Sequence, residues 1–529
     1  MHKFLCICIG LIWVTSLQAA IPGEEGATLY QSFGVEIPKP APDRPTSEGT
    51  GPFSRLVLDG AMIVDGLGSP PRGPVSIVIE NERIAAIHNR PPPAEAGEQR
   101  MDVSGMTALP GFIDAHVHIG SPGQGLAGPV VPPEYVFKLW LAHGITTVRD
   151  VGSTMGLGWT VEHAERSDKN NITAPRIIPY AMFPGSVLTT SEAASKWVKA
   201  VHKRGAKGIK LRGGTREALS AVYAEAARLN IGTASHHDQN GVYHMNVLDS
   251  ARLGLDSMEH WYGLPEAMFT DRTIQNYPAD YNYSDEQWRF GEAGNLWQQA
   301  AAPDSKTWQD TIVELMQLDF TLVPTFTIYE ANRDVMRARR AEWHDDYTWP
   351  ALAKFFQPDP KLHGSFHFDW TTAHEVAWRR NFDIWMAFVN DYKNAGGRVA
   401  AGSDAGFIFK LYGFAYIREL ELLQEAGFHP LEVVQAATRN GAELLEMEDQ
   451  IGALTPGRMA DIVLVPGNPV ANFKLLYGTG HMYLDREQGK VGRKGGVRYV
   501  VKSGVVYDAR QLLKDVRQMV ADAKVSGPN

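Results

Sequence analysis

Eight short apolar runs recur along the middle of this chain, each followed by residues of helical pattern. They read FIDAHVHI (112–119), TTVRDVG (146–152), RIIPYAMF (176–183), GIKLRGG (208–214), IGTASHH (231–237), DSMEHWY (256–262), FTLVPTFTIY (320–329) and RVAAGSDAG (398–406). Segments such as TREALSAVYAEAARLN and PLEVVQAATRNGAELL, between or after them, carry the 3.6-residue apolar period of amphipathic helices. Eight β-α units predict an α/β fold, a (β/α)8 TIM barrel, whose active site lies at the C-terminal ends of the strands.

Those strand ends hold a particular set of side chains. The first carries His116 and His118, which alternation along a strand places on one face. The fourth carries Lys210, the fifth His236 and His237, the sixth His260 and the eighth Asp404. Each has a plain explanation: a polar strand face, a snorkelling lysine, a packed core histidine, a helix N-cap. Their recurrence at strand ends, where a barrel gathers side chains around one axis, points instead to a nitrogen- and oxygen-donor metal site.

The flanks read differently. SRLVLDGAMIVDGLG and GPVSIVIENERIAAI precede the barrel runs, and ADIVLVPG and VRYVVKSGVVYDA follow them. These β-rich stretches predict a small β-sandwich domain built from both chain ends (53–108 and 452–510) around a barrel at 109–451. Residues 21–52, rich in Pro, Gly, Ser and Glu, read as an irregular leader, and 511–529 as a terminal amphipathic helix and tail. Residues 1–20 combine Lys3, a short apolar run and a small-residue ending, the pattern of a cleaved secretory signal. This predicts an exported protein, periplasmic or secreted, without stable membrane association after cleavage. Cys6 and Cys8 are the only cysteines, so the mature chain has no thiolate to serve as nucleophile or ligand. A net charge of -9 without basic blocks argues against nucleic acid as a partner. A small-molecule substrate is the expected partner, and self-association stays open.

Beyond these residues the chain resembles the amidohydrolase superfamily, most closely its imidazolonepropionase-related branch that includes prolidase-like dipeptidases. The carrying motifs are LPGFIDAHVH, GITTVRDVGS, GIKLRGG, LGLDSMEHW, LVPTF, AAGSDAG and AATRNGAELL…IGALTPGRMADIVLVPGNP, spread from about Leu58 to Tyr507. The resemblance implies two divalent ions, usually Zn2+. His116, His118 and Asp404 would hold the first, His236 and His260 the second, and Lys210 would bridge them as a carbamate. It implies hydrolysis of a C–N amide bond, in a dipeptide or N-acyl amino acid, by a metal-bridging hydroxide, with Asp404 as the catalytic proton carrier. Three other readings share the barrel: a one-metal deaminase or cyclic amide (imidazolone) hydrolase, a lactonase or carbamate hydrolase, and a non-catalytic binding protein.

Several positions depart from the family pattern. Asp238 stands where prolidase-like members often have tyrosine, and Tyr243 on the following loop is a candidate substitute. Arg212 and Arg333 are candidates for binding a substrate carboxylate, against the plain reading of ordinary ion pairs. Arg149 and Asp150 are expected to pair with each other at the barrel floor. Nine of the 13 tryptophans lie between Trp261 and Trp385, either as an aromatic lid or as packing within long insertions. His163, His202 and His374 read as surface or packing residues.

Overall fold

A computed structural model of the chain describes residues 21–526, so the expected signal segment lies outside the described residues. Five strands come first: β1 (Leu56–Ile63), β2 (Arg72–Glu80), β3 (Arg83–His88), β4 (Gln99–Asp102) and β5 (Met106–Pro110). Eight more alternate with helices: β6 (Phe112–Val117), β7 (Ile145–Gly152), β8 (Arg176–Met182), β9 (Gly208–Leu211), β10 (Gly232–Ser235), β11 (Ser257–Glu259), β12 (Thr321–Val323) and β13 (Arg398–Val399). The chain then forms β14 (Ile462–Pro466), β15 (His481–Asp485), β16 (Lys490–Lys494), β17 (Tyr499–Lys502) and β18 (Val505–Asp508).

Strands β6 to β13 pair in chain order as one parallel eight-stranded sheet. Two backbone bonds join its first and last members. The Ala115 N–H donates to the Ala401 carbonyl at 2.9 Å, and the Asp404 N–H to the His116 carbonyl at 2.8 Å. The result is a TIM-barrel-like ring. Helices cover it because their start and stop signals sit at the strand connections. Thr190 and Thr215 cap the helices Ser191–Lys203 and Arg216–Leu229 through their side-chain oxygens, and Asn230 ends the second in the left-handed region.

Strands from both chain ends meet in a second eight-stranded sheet, in the order β18-β17-β14-β5-β1-β2-β3 with β4 on β1. The pairing records one continuous sheet with bulges in β1, and the packed layers of the expected β-sandwich are not confirmed by it. Alternation in β14 shows how it is held. Ile462 and Leu464 face an apolar cluster with Leu56, Leu58, Ile77, Ile79 and Val501, while Val463 and Val465 turn into the main core. Both faces being buried explains the unbroken apolar run.

The leader differs from expectation. Glu25–Ser32 is a helix, with Tyr30 buried in the core and Glu25 accepting a hydrogen bond from the Trp197 indole at 2.7 Å. Farther on, the Ala41 N–H donates to His163 at 3.0 Å. Buried anchors on the barrel, which composition does not register, order this segment. The terminal helix runs Ala509–Ser526, and among the described residues no helix is long and apolar enough to cross a membrane.

Candidate metal centre

Alternation along β6 sends Asp114 and His116 to the same side, and His118 follows just past the strand end. The barrel closure brings the segment after β13 against them. Asp404 Oδ1 lies 3.7 Å from His116 Nε2 and 3.6 Å from His118 Nε2, and its Oδ2 lies 3.7 Å from His260 Nε2. His116, His118 and Asp404 each offer a donor atom within 4.8 Å of the others. The His236 ring sits 4.5 Å from that of His260. Lys210 is buried, and among the described residues its Nζ has no hydrogen-bond partner. The structure thus gathers all six expected residues at one end of the barrel.

The imidazoles are oriented by groups behind them. His116 Nδ1 bonds the Glu259 carboxylate. Glu259 is itself held by the Arg149 guanidinium at 2.7 Å and by Ser257 at 3.0 Å, all fully buried. His260 Nδ1 bonds Thr325 Oγ1 at 2.5 Å, while that hydroxyl donates to the Pro324 carbonyl at 2.6 Å. Both rings therefore carry their proton on Nδ1 and turn the Nε2 lone pair toward Asp404, the state a metal ligand requires. Asp114 accepts from the Ser403 N–H at 2.9 Å and the Ser403 hydroxyl at 2.6 Å, fixing the residue before Asp404 to β6. Three non-glycine residues at these strand ends adopt left-handed backbone: His260 at φ 65°, Thr325 at 51° and Asp404 at 48°. Strain of this kind gathers where side chains must be aimed.

Burial sets the charge state. It pushes the His118 imidazole down to about 3, and lowers His116, His236 and His260 well below the usual range, so these rings are neutral at pH 7. Desolvation also lowers the Lys210 ammonium and raises the Asp404 carboxyl. An ammonium lowered to about 8 releases a fraction of neutral amine that can react with CO2, and neutral imidazoles can ligate. The donor set, two buried orphan atoms (Lys210 Nζ and Asp404 Oδ1) among neutral rings, fits divalent cations.

Other expected residues lie elsewhere. Arg333 makes two bonds to Glu425, at 2.7 and 2.9 Å, and lies over the Phe382 ring, because it ends the helix Phe326–Arg333 on its outer side. Tyr243 is 54% exposed, its ring tilted against that of His244 at 3.7 Å. Arg212 is half exposed, 3.8 Å from Asp238, and its charge bears on His118, His236 and Asp404. His237 turns away to Ser250 at 2.9 Å. Arg149 pairs with Glu259 rather than Asp150, whose carboxylate takes a bond from Thr160 at 3.2 Å, since strand neighbours face opposite sides. Trp261, Trp297, Trp308, Trp378 and Trp385 are fully buried and pack on one another, so these five are core, not a lid. Their block reaches the cluster through Tyr329, 5.6 Å from the His260 ring.

Glu259, Asp114 and Thr325 escaped the sequence reading. Asp114 was open to it, since its two-residue spacing from His116 is the same that pairs the histidines.

Fold and cluster together define a barrel protein with a candidate metal site of imidazole, carboxylate and lysine groups. The Amidohydrolase family model matches residues 385–506. An adenine deaminase of Bacillus velezensis is 34% identical over 106 residues, 18% of this chain and 17% of that protein. An N-acyl-D-glutamate deacylase of Alcaligenes xylosoxydans xylosoxydans is 43% identical over 87 residues, 14% and 17%. The chain thus spans less than a fifth of the length of these curated relatives. Among solved structures, a Xaa-Pro dipeptidase with bound methionine superposes with a TM-score of 0.55 at 18% identity, over 86% of this chain and all of that one. A bottromycin amidohydrolase gives 0.60 at 18% identity, over 95% and 94%. The family-model match over residues 385–506 and these likenesses all point to the amidohydrolase superfamily.

Proposed function

We propose that this chain is an exported, metal-dependent hydrolase that cleaves a C–N amide bond in a dipeptide or N-acyl amino acid. The observation that carries the reading is the convergence of three imidazole Nε2 atoms on Asp404, beside a buried lysine amine without a partner. His116, His118 and Asp404 would hold one divalent ion, and His236 and His260 a second, both zinc. Lys210 would bridge them after its neutral amine adds to CO2, forming an N–C bond and releasing a proton. Bound ions supply Lewis acidity and acidify a water toward neutrality. With cations nearby, Asp404 becomes a carboxylate again. It then accepts the proton of the attacking water and passes it to the leaving nitrogen. Arg212, just past the end of β9, would pair with a substrate carboxylate. The dipeptidase and deacylase likenesses support an amide substrate, and the deaminase likeness makes a one-metal reaction the second reading.

Metal analysis of the purified protein, with a hydrolysis screen over dipeptides, N-acyl amino acids, hydantoins and lactones, tests this. Two ions per chain and amide turnover are expected. One ion with release of ammonia from a purine would support the second reading. Lys210→Ala is expected to lose metal and turnover together and to regain both in part with short carboxylic acids. Two ions and full turnover in that variant would refute the carbamate bridge. Cell fractionation tests export.

A further inference from the structure

Between Gly480 and Gly495 the chain forms a two-stranded antiparallel ribbon, β15 with β16, tied to the rest of the molecule by an Arg493–Glu342 ion pair at 3.2 Å. Among the described residues, no third strand pairs with either outer edge. Apolar side chains stand in solvent along it: Met482 is 54% exposed, Leu484 60% and Val491 68%. The register places Leu484 opposite Val491 and Met482 opposite Arg493, so by alternation these apolar groups share one face. A two-stranded ribbon is marginal alone in water, and a free edge with exposed apolar groups is a template for another strand.

The two edges differ in what they can accept. If β16 paired antiparallel with a second β16 about Gly492, Lys490 would face the partner's Lys494, and Val491 the partner's Arg493. Like charges then meet at both ends. If β15 paired with a second β15 about Tyr483, His481 would face the partner's Asp485, and Met482 the partner's Leu484. Tyr483 would face the partner's Tyr483 on the two-fold axis. Imidazole meets carboxylate at both ends, apolar meets apolar on one face, and ring meets ring on the other. The sequence HMYLD is self-complementary in antiparallel register, as a two-fold interface demands.

We propose that β15 is the dimerisation edge of this protein: a second copy of the chain adds its own β15 and closes a four-stranded sheet. The pairing joins Leu484 and Val491 of each copy into one apolar strip and leaves the basic β16 strands outermost, as charged edges that stop further addition. None of these residues belongs to the metal cluster, so the proposal stands apart from the proposed activity.

Sedimentation velocity of the full chain provides the test. The protein is expected to be a dimer, and His481→Asp, which sets carboxylate against carboxylate at both ends of the ladder, a monomer. His481→Asp combined with Asp485→His restores the opposite pairing and is expected to restore the dimer. If His481→Asp loses its native circular dichroism, Leu484→Lys on the apolar face takes its place and is expected to be monomeric. A monomeric native protein overturns the proposal, as does a dimer indifferent to His481→Asp and Leu484→Lys. A monomer that sediments with phosphatidylglycerol vesicles through Leu484 overturns it in favour of a membrane surface.

Discussion

Glu259 decides which nitrogen of His116 faces the cluster. Its carboxylate accepts the hydrogen bond of the Nδ1 N–H while Arg149 and Ser257 hold it still. Glu259→Gln keeps the shape but turns an amide N–H2 toward either the imidazole N–H or the guanidinium, where no acceptor remains. Metal affinity is expected to fall about 10–100-fold, as for other groups behind ligating histidines, read by competition with a chromophoric chelator. Unchanged affinity would mean that Glu259 only neutralises Arg149. Asp404 calls for a different measurement. Asp404→Asn keeps an oxygen donor and removes the proton acceptor, so turnover is expected to fall by about 10²-fold or more with a smaller loss of metal. Equal mild losses would reduce Asp404 to a structural role. The ligand-type residues were legible because strand alternation and strand-end position are local rules. Glu259 was not, since its role depends on Arg149 reaching across the barrel from β7 to β11, which lies opposite it in the ring.

At the scale of elements, alternation explains both successes and errors. Arg149 and Asp150 are chain neighbours, yet a strand sends them to opposite sides and to different partners. The leader helix and the buried tryptophans were hidden for a common reason: composition shows what a segment contains but not which surface receives it. Trp308 illustrates the packing role. It is fully buried, its ring 4.9 Å from Phe388 and its indole bonded to Asp391 at 3.0 Å. Trp308→Ala is expected to cost about 3–5 kcal/mol, seen as a lowered thermal midpoint, with metal stoichiometry retained. A lid residue would instead raise KM and leave the midpoint in place.

For the whole molecule, buried neutral histidines set an acid limit. His143 donates from Nδ1 to the Leu139 carbonyl at 2.7 Å, its Nε2 has no partner, and burial lowers the ring to about 4. The unfolded ring takes a proton near pH 6.5, so below that pH the unfolded state binds more protons than the folded one. The stability this neutral ring contributes is complete above pH 6.5 and drains away as pH falls toward 4. His143→Asn, which can still donate to Leu139, is expected to flatten the fall of the thermal midpoint between pH 6.5 and 4. An unchanged slope would assign acid sensitivity to other groups.

The ring's closing bonds also fix the order in which the site can come into being. His116 and His118 lie on the first strand of the barrel, and Asp404 just after the last. The chain between them must be synthesised before the two meet, so capture of an ion by both would be a closing event in the life of the chain. Until then the histidines stand on an open edge, and an ion held from both sides would lock the ring shut like the clasp of a bracelet.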